Sequence, residues 1–343
     1  MGSRFTEMRC ELLSKYRKAL LGIATLWIAL LHAQMWFSTP LLQWIKITGH
    51  GGVEMFLFLS SLGLYYAWEK GERGWPFFRR RLLRILPYFI PIAIFRVLYL
   101  KPPAAEVIPI LTATSFWLLG DRTMWYISGI LVLYALTPLY LSCFQGREGR
   151  VTAISVGVSL AASALFLHTE QTIFTASVPC YLLGFYAGYC AENGRRAGRK
   201  QIAAGAALLL AGLALQLLAY HADTNETVLY GLGMYWYPFV LMVWPLCMSL
   251  AWLLERMEQS CLFRWAVSAF NSLGAVSLEY YLLHELMIQI WGNVMHVIPQ
   301  YRYHGILMQC VIMLLTYNFA WLWQRIWQWI PAVFHSCRKG KQA

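Results

Sequence analysis

Charge is what this chain has least of. Of its 343 residues only 13% are Asp, Glu, Lys or Arg, against about 25% in an ordinary soluble domain. That shortage excludes a disordered chain, a nucleic-acid-binding domain and most soluble enzymes. Paired cysteines are missing too. The residues Cys10, Cys143, Cys180, Cys190, Cys247, Cys261, Cys310 and Cys337 form no CxxC pair and no metal-ligand spacing, so no metal is expected. Those outside the apolar stretches read as cytoplasmic thiols, not disulfides. Gly-rich phosphate loops, HExxH zinc motifs and GxSxG elbows are absent. So is a cleavable leader: the first apolar block starts near Ala19 behind basic residues and lacks a small-residue cleavage site, so it reads as a retained helix.

What is present is hydrocarbon. Hydrophobic residues make up 59% of the chain, gathered into blocks of about 18 to 25, the length a helix needs to cross a roughly 30 Å hydrocarbon layer. The fold class is therefore all-α, a polytopic membrane bundle of about ten transmembrane helices in a single domain. The spans fall at about 19–36, 52–68, 84–100, 124–143, 151–168, 172–190, 201–220, 229–253, 273–294 and 304–327. Residues 1–18 form a basic leader and 328–343 a tail. The stretch 104–120 is apolar but broken by Pro109, Thr and Ser, and reads as interfacial or re-entrant. No inverted repeat of the transporter kind is visible.

The net charge of +12 sits in short clusters between the apolar blocks. Ten spans put both termini on one side of the membrane. Of the 28 Lys and Arg, only Lys46, Lys101, Arg122 and Arg302 fall on the opposite side, and Arg96 lies inside a span. Positive loops favour the cytoplasm, so both termini are expected there.

Ionisable side chains in hydrocarbon are costly and mark candidate functional sites. Here they are His32, Glu54, Arg96, Glu279, His284 and Glu285. At 1.5 Å per residue, His32 lies in the outer half of the first span and Glu54 near the outer end of the second. Antiparallel neighbours would bring them to one depth. An imidazole oriented by a carboxylate suits general base chemistry on a hydroxyl; hydrogen-bonded helix packing and capping are the competing reading.

The ninth span, LGAVSLEYYLLHELM from Leu273, places Ser277, Tyr281, His284 and Glu285 on one polar stripe, which must face the bundle interior or a wet cavity. Glu279 points elsewhere, towards another helix. An inter-helix network and direct catalysis both remain open for the stripe. The segment GERGWPFFRRRLLRILPYF puts Arg79, Arg80, Arg81 and Arg84 beside Trp75, Phe77 and Phe78. They serve as a positive-inside anchor, as a phosphate site for a nucleotide or as a lipid-headgroup contact. Trp125, Tyr126, Tyr235, Trp236 and Tyr237 gather near outer span ends, where interfacial belts and sugar stacking both account for them.

Four segments together resemble the bacterial acyltransferase-3 family of integral-membrane O-acyltransferases, over about Lys15 to the last span. They are LLGIATLWIALLH ending at His32, GGVEMFLFLSSLGLYYA from Gly51, FFRRRLLRILPYF, and LGAVSLEYYLLH ending at His284; MWYISGILVLYALTPLY and VPCYLLGFYAG are weaker matches. The resemblance implies a multi-pass protein of the bacterial inner membrane. It would transfer an acyl group, commonly acetyl, from cytoplasmic acyl-CoA as donor substrate to a hydroxyl of a glycan or other acceptor. It assigns the catalytic role to His32 with Glu54 as acidic partner, and donor contacts to Arg79, Arg80, Arg81 and Arg84. The extracytoplasmic esterase-like domain of some relatives is not expected here.

Two positions depart from the family pattern. The Arg that usually precedes the histidine is Leu21 here, and Arg17 or Lys18, about one turn earlier, is the candidate to take its place. The family's Ser-Gly dipeptide appears as Ser60-Ser61. Two other functions are compatible with the residues alone: a lipid or glycan transporter with His32 and Glu54 as a proton relay, and an inactive relative acting as a sensor.

Overall fold

The computed structural model describes residues 8–33, 35–222, 226–297 and 305–339. The start of the basic leader, Arg302 and the end of the tail lie outside the described residues. The chain runs through α1 (Glu11–Lys15), α2 (Arg17–His32), α3 (Pro40–Ile47), α4 (Gly51–Glu69), α5 (Gly74–Leu100), α6 (Ala104–Leu111), α7 (Ser115–Leu119) and α8 (Trp125–Ser142). It continues through α9 (Glu148–Ser163), α10 (Thr172–Glu192), α11 (Arg199–Ala222), α12 (Glu226–Gly231), α13 (Tyr237–Gln259), α14 (Arg264–Ala275), α15 (Ser277–Val297) and α16 (Gly305–Lys339). Met8–Arg9 (β1) and Arg196–Ala197 (β2) form one short antiparallel pair.

The protein is an all-α, multi-pass membrane bundle. Among the described residues seven helices are long and apolar enough to cross a membrane: α5, α8 with the turn before it, α9, α10, α11, α13 and α16. The other three expected spans correspond to α2, α4 and α15, which carry His32, Glu54 and His284. Of these, α2 has only 16 residues and α4 is buried on nearly every side. A helix enclosed by other helices has no need of a lipid-facing apolar surface, which is why these three mix polar residues into their apolar runs. The outer helices α9, α11 and α16 instead leave most of their apolar windows unburied.

Four boundaries differ from the sequence expectation, one being the last: α16 continues past 327 through most of the expected tail to Lys339. The eighth span begins at Tyr237, not near 229, because Gly231 closes α12 and Gly233 turns the chain at φ +73°; Pro238 then occupies the first turn of α13, where a missing N–H is harmless. The third helix begins ten residues early, at Gly74, so the arginine cluster is itself helical, and Pro76 sits in its first turn. The ninth span breaks at Val276 into α14 and α15. The stretch 104–120 folds as the short helices α6 and α7, interrupted at Ala113, whose φ is +58°.

Glycines set how close the central helices come. A Cβ on Gly22 would lie 2.0 Å from the Phe270 carbonyl oxygen and one on Gly274 1.8 Å from that of Lys18, so α2 and α14 meet backbone to backbone, as small-residue crossings allow in membranes. On α10, a Cβ at Gly184 would lie 2.0 Å from Ser61 Oγ of α4. The glycine absent from the Ser60-Ser61 dipeptide is thus supplied by the facing helix, and the Ser61 hydroxyl donates to the Leu57 and Phe58 carbonyls at 3.2 and 3.0 Å.

The loops sort to two ends as expected from helix parity. The β1–β2 pair joins the N-terminus to the loop after α10, and Arg9 and Lys15 bond Glu255 and Glu258 at the end of α13. At the other end Arg122 pairs with Glu170, and the His168 amide donates to the Gly231 carbonyl at 2.7 Å.

Gly274→Ala forces α2 and α14 apart and is expected to destabilise by about 1–3 kcal/mol, the usual cost of overpacking. Gly157→Ala on α9, where nothing lies within 4 Å, is expected to be neutral or mildly stabilising. Thermal melting of the detergent-purified variants checks both.

Candidate active site

One side of α2, the first half of α4, part of α5 at Arg84 and Ile85, α8 and the first turns of α15 line a cavity of about 160 Å³. Arg17 and Arg84 stand at one end and Ile28, Val53 and Tyr281 at the other, with Ser60 and Tyr126 hydrogen-bonded to each other between them. Arg17 and Ile28 are eleven residues apart on one helix, so the cavity extends about 16 Å along α2. Its walls are mostly apolar, and its two cations stand at the end where Arg84 reaches the protein surface.

Just beyond the far end lie two histidines. His32 is the last residue of α2, one turn past Ile28, and His284 is one turn past Tyr281 on α15. His284 Nε2 lies 3.1 Å from His32 Nδ1, with the ring centroids 5.0 Å apart. His284 Nδ1 is 2.7 Å from the Tyr281 carbonyl, and His32 Nδ1 is 3.1 Å from that of Ile28. These contacts assign the tautomers. A carbonyl oxygen only accepts, so the Nδ1 of His284 carries a hydrogen and its Nε2 accepts one from His32 Nδ1. The basic nitrogen of neutral His32 is then Nε2. His284 orients and polarises His32 as a carboxylate does in more familiar pairs.

Sequence reasoning expects that orienting partner to be Glu54, and the structure corrects this. Glu54 is completely buried on the other side of α4, accepting from Ser177 Oγ at 2.5 Å and lying beside Cys180 of α10. The reason is helical geometry. Gly52 is the residue of α4 that abuts α2, a Cβ there meeting the Ala24 carbonyl and Ile28 at 2.6 Å. Two residues on, Glu54 projects about 200° around the helix, away from His32. Equal depth did not mean equal face.

The polar stripe of the ninth span faces inward as expected: Ser277 and Tyr281 line the cavity and His284 meets His32. The side chain of Glu285 lies outside the described residues. Glu279 does turn to another helix, where Gln324 Nε2 of α16 donates to it at 3.2 Å. Arg96 is also structural. It forms a two-pronged bond with Asp121, at 2.7 and 3.2 Å, and donates to Thr123. Nothing in the sequence singles out Asp121, because 25 residues separate the pair.

Of the two candidates for the missing family arginine, Arg17 faces the cavity and Lys18 does not. The Nε of Arg17 donates to the Leu59 carbonyl at 2.8 Å, and its guanidinium lies over Gly63, where a Cβ would come within 2.5 Å. Gly63 therefore makes the room that Arg17 occupies, and Leu21 sits one turn above it on the same wall. Lys18, a further 100° around the helix, looks towards Glu258, Arg264 and Asn271 at the α14 side. The arginine cluster divides as well. Arg84 lines the cavity mouth; Arg80 and Arg81 both bond Glu72, and Arg81 also lies 4.2 Å from the Phe77 ring; Arg79 is exposed. Of the outer aromatics, Tyr126 packs 5.4 Å from Tyr281 at the cavity, whereas Tyr235 and Trp236 pack around His50.

Glu72 lies in the loop before α5, and its hydrogen bond from Arg81 holds its carboxyl below the ordinary 4.5. A depressed carboxyl stabilises the fold above its unfolded value and loses that contribution as pH falls through the folded one. Glu72→Gln is thus expected to lower the melting temperature by a constant amount from pH 8 to about 5, with the difference vanishing on further acidification. Melting scans across pH check it.

The sequence model of the acyltransferase-3 family, described as an acyltransferase domain, matches residues 19–334. No curated protein and no solved structure matches the chain. The family match covers nearly all of α2 through most of α16, and so takes in both histidines, Arg84 and the whole cavity lining except Arg17; the chain belongs to the acyltransferase-3 family of integral-membrane acyltransferases.

Proposed function

We propose that the protein transfers an acyl group, acetyl being the simplest case, from acyl-CoA in the cytoplasm to a hydroxyl of a glycan or other acceptor on the far side of the bacterial inner membrane. One observation carries the reading: a narrow cavity with cations at one end stops one turn short of a paired imidazole at the other. A donor for that shape must be anionic at one end and thin along its length, with its reactive atom at the tip. A nucleotide thioester has this form. Arg84 and Arg17 would meet its phosphates, with Arg79 and the Arg80–Arg81–Glu72 cluster outside, and the apolar walls would sheath the pantetheine arm. The positive-inside count puts the cationic mouth on the cytoplasmic side.

His32 Nε2 is the general base. It takes the proton from the acceptor hydroxyl as the oxygen attacks the thioester carbonyl. Tyr281, on the cavity wall one turn before His284, is the phenol assigned to donate to the developing oxyanion. When the carbon–sulfur bond breaks, the leaving thiolate takes the proton back from His32, giving the ester and free CoA. Through these steps Nδ1 of His32 keeps its hydrogen directed at His284 Nε2 and the Ile28 carbonyl, which fixes the ring and stabilises the imidazolium. His284 is a positioning residue. Glu54, away from the reacting atoms, is assigned to holding α4 against α10.

His32→Ala is expected to lower kcat about a hundred- to ten-thousand-fold, the usual worth of a general base. His284→Gln, whose carbonyl can accept from His32 and whose amide can donate to Tyr281, is expected to retain much of the rate, and His284→Phe to lose it. Arg17→Gln and Arg84→Gln are expected to raise the KM for acetyl-CoA and leave kcat little changed. CoA release by purified protein with acetyl-CoA and a candidate glycan measures all of these. Full activity in His32→Ala, with normal melting, would refute the assignment.

A further inference from the structure

A second and larger hollow lies on the opposite side of the bundle and takes no part in the chemistry above. Its volume is about 640 Å³, and it lies among α10, α11 and α13, beside the β1–β2 pair. Its cause is legible in the chain: α11 begins RKQIAAGAALLL, and Ala204, Gly205 and Ala206 face the hollow where larger side chains would have closed it. A Cβ at Gly205 would touch only Pro245, at 3.5 Å. The wall opposite is apolar and aromatic, with Leu183, Tyr186, Val240, Trp244 and Met248. The hollow lies on α11 from Gln201 to Leu209, about 12 Å of helix, close to the roughly 15 Å depth of one leaflet.

One end of it is cationic. Arg195 and Arg196 stand at the rim and are positioned by the backbone: the Arg195 amide donates to the Cys190 carbonyl at 2.9 Å, and Arg196 belongs to β2, paired with β1. The Arg195 guanidinium packs 5.0 Å from the Tyr189 ring and donates to its hydroxyl at 3.2 Å. Arg199 and Lys200 follow at the start of α11. The occupant must therefore be apolar over about a leaflet's depth and negatively charged at the headgroup level.

We propose that this groove binds one anionic phospholipid of the cytoplasmic leaflet, its acyl chain along Ala204–Leu209 and its headgroup phosphate at Arg195 and Arg196. A membrane-facing slot of this depth, capped by cations on the positive-inside face, fits the anionic lipids that such clusters attract. The site shares no lining residue with the catalytic cavity, so its fate is independent of the acyl-transfer reading.

Native mass spectrometry of the full chain, released from detergent with equal phosphatidylglycerol and phosphatidylcholine of the same acyl chains, tests it. The expected result is one retained phosphatidylglycerol in preference to phosphatidylcholine by about thirty-fold, each arginine near the surface being worth about five-fold. Arg195→Gln with Arg196→Gln, both away from the core, is expected to bring the two lipids near parity. Gly205→Phe, with unchanged melting, is expected to displace both. Equal retention of the two lipids by the unmodified protein, or a preference that survives the arginine changes, would overturn the proposal. So would lipid retention untouched by Gly205→Phe, or a lipid-free dimer that Gly205→Phe dissociates, which would give the groove to a second copy of the chain.

Discussion

Inside a hydrocarbon layer a polar side chain has no water to bond, so it is satisfied by the protein or it destabilises the fold. That constraint organises this bundle. The ionisable residues singled out deep in the spans whose side chains are described have partners on another element: Arg96 with Asp121, Glu279 with Gln324, Glu54 with Ser177, and His32 with His284. The first ties α5 to the loop before α8, and the next two join helices, α15 to α16 and α4 to α10. The fourth differs in place, because it stands over the end of a cavity whose other end is lined by Arg17 and Arg84. A pair that satisfies two imidazoles thereby also stands beside the end of a cavity, the placement on which the proposed general-base role of His32 rests.

The geometry of that arrangement rests on small residues. Gly22 and Gly274 bring α14 against α2, Gly52 brings α4 against α2, and Gly184 brings α10 against α4. These close approaches orient α2 so that Arg17, Leu21 and Ile28 form one wall of the cavity. They also turn Lys18 outward. Gly63 then leaves space for the Arg17 guanidinium, so one glycine on α4 and one arginine on α2 together provide the charge at a site where Leu21 supplies only an apolar side chain.

Much of this was legible in the chain, and what was missed has a physical reason. The apolar blocks located ten helices, since hydrophobic length is a strong signal in membranes, but not all their ends, α5 beginning at Gly74 and α13 at Tyr237. The polar stripe of Ser277, Tyr281 and His284 was readable from helical spacing, and its inward direction followed from the cost of exposing it to lipid. Rotation was the harder quantity. Depth along α2 and α4 matched His32 with Glu54, but the Gly52 contact turned the carboxylate about 200° away, and only the packing of two helices reveals which face is which. Long-range partners were equally hidden: Asp121 for Arg96, His284 for His32 and Glu72 for Arg80 and Arg81. Most of α14 lies outside the expected span 273–294, which begins three residues before Val276 and so runs across the break between α14 and α15.

The central claim is that the donor reaches the histidine pair through the cavity, with its sulfur at the end near Val53 and Ile28. Alkylation by bromoacetyl-CoA tests this directly, because a cysteine thiolate displaces bromide and forms a thioether only where the acyl tip of the donor can approach it. Peptide mapping by mass spectrometry would compare Val53→Cys, in the cavity, with Leu26→Cys on the exposed face of α2. The account predicts CoA attached at position 53 and not at position 26, with attachment suppressed by excess acetyl-CoA. Equal attachment at both positions, or none at 53 in protein that turns over acetyl-CoA, would contradict it.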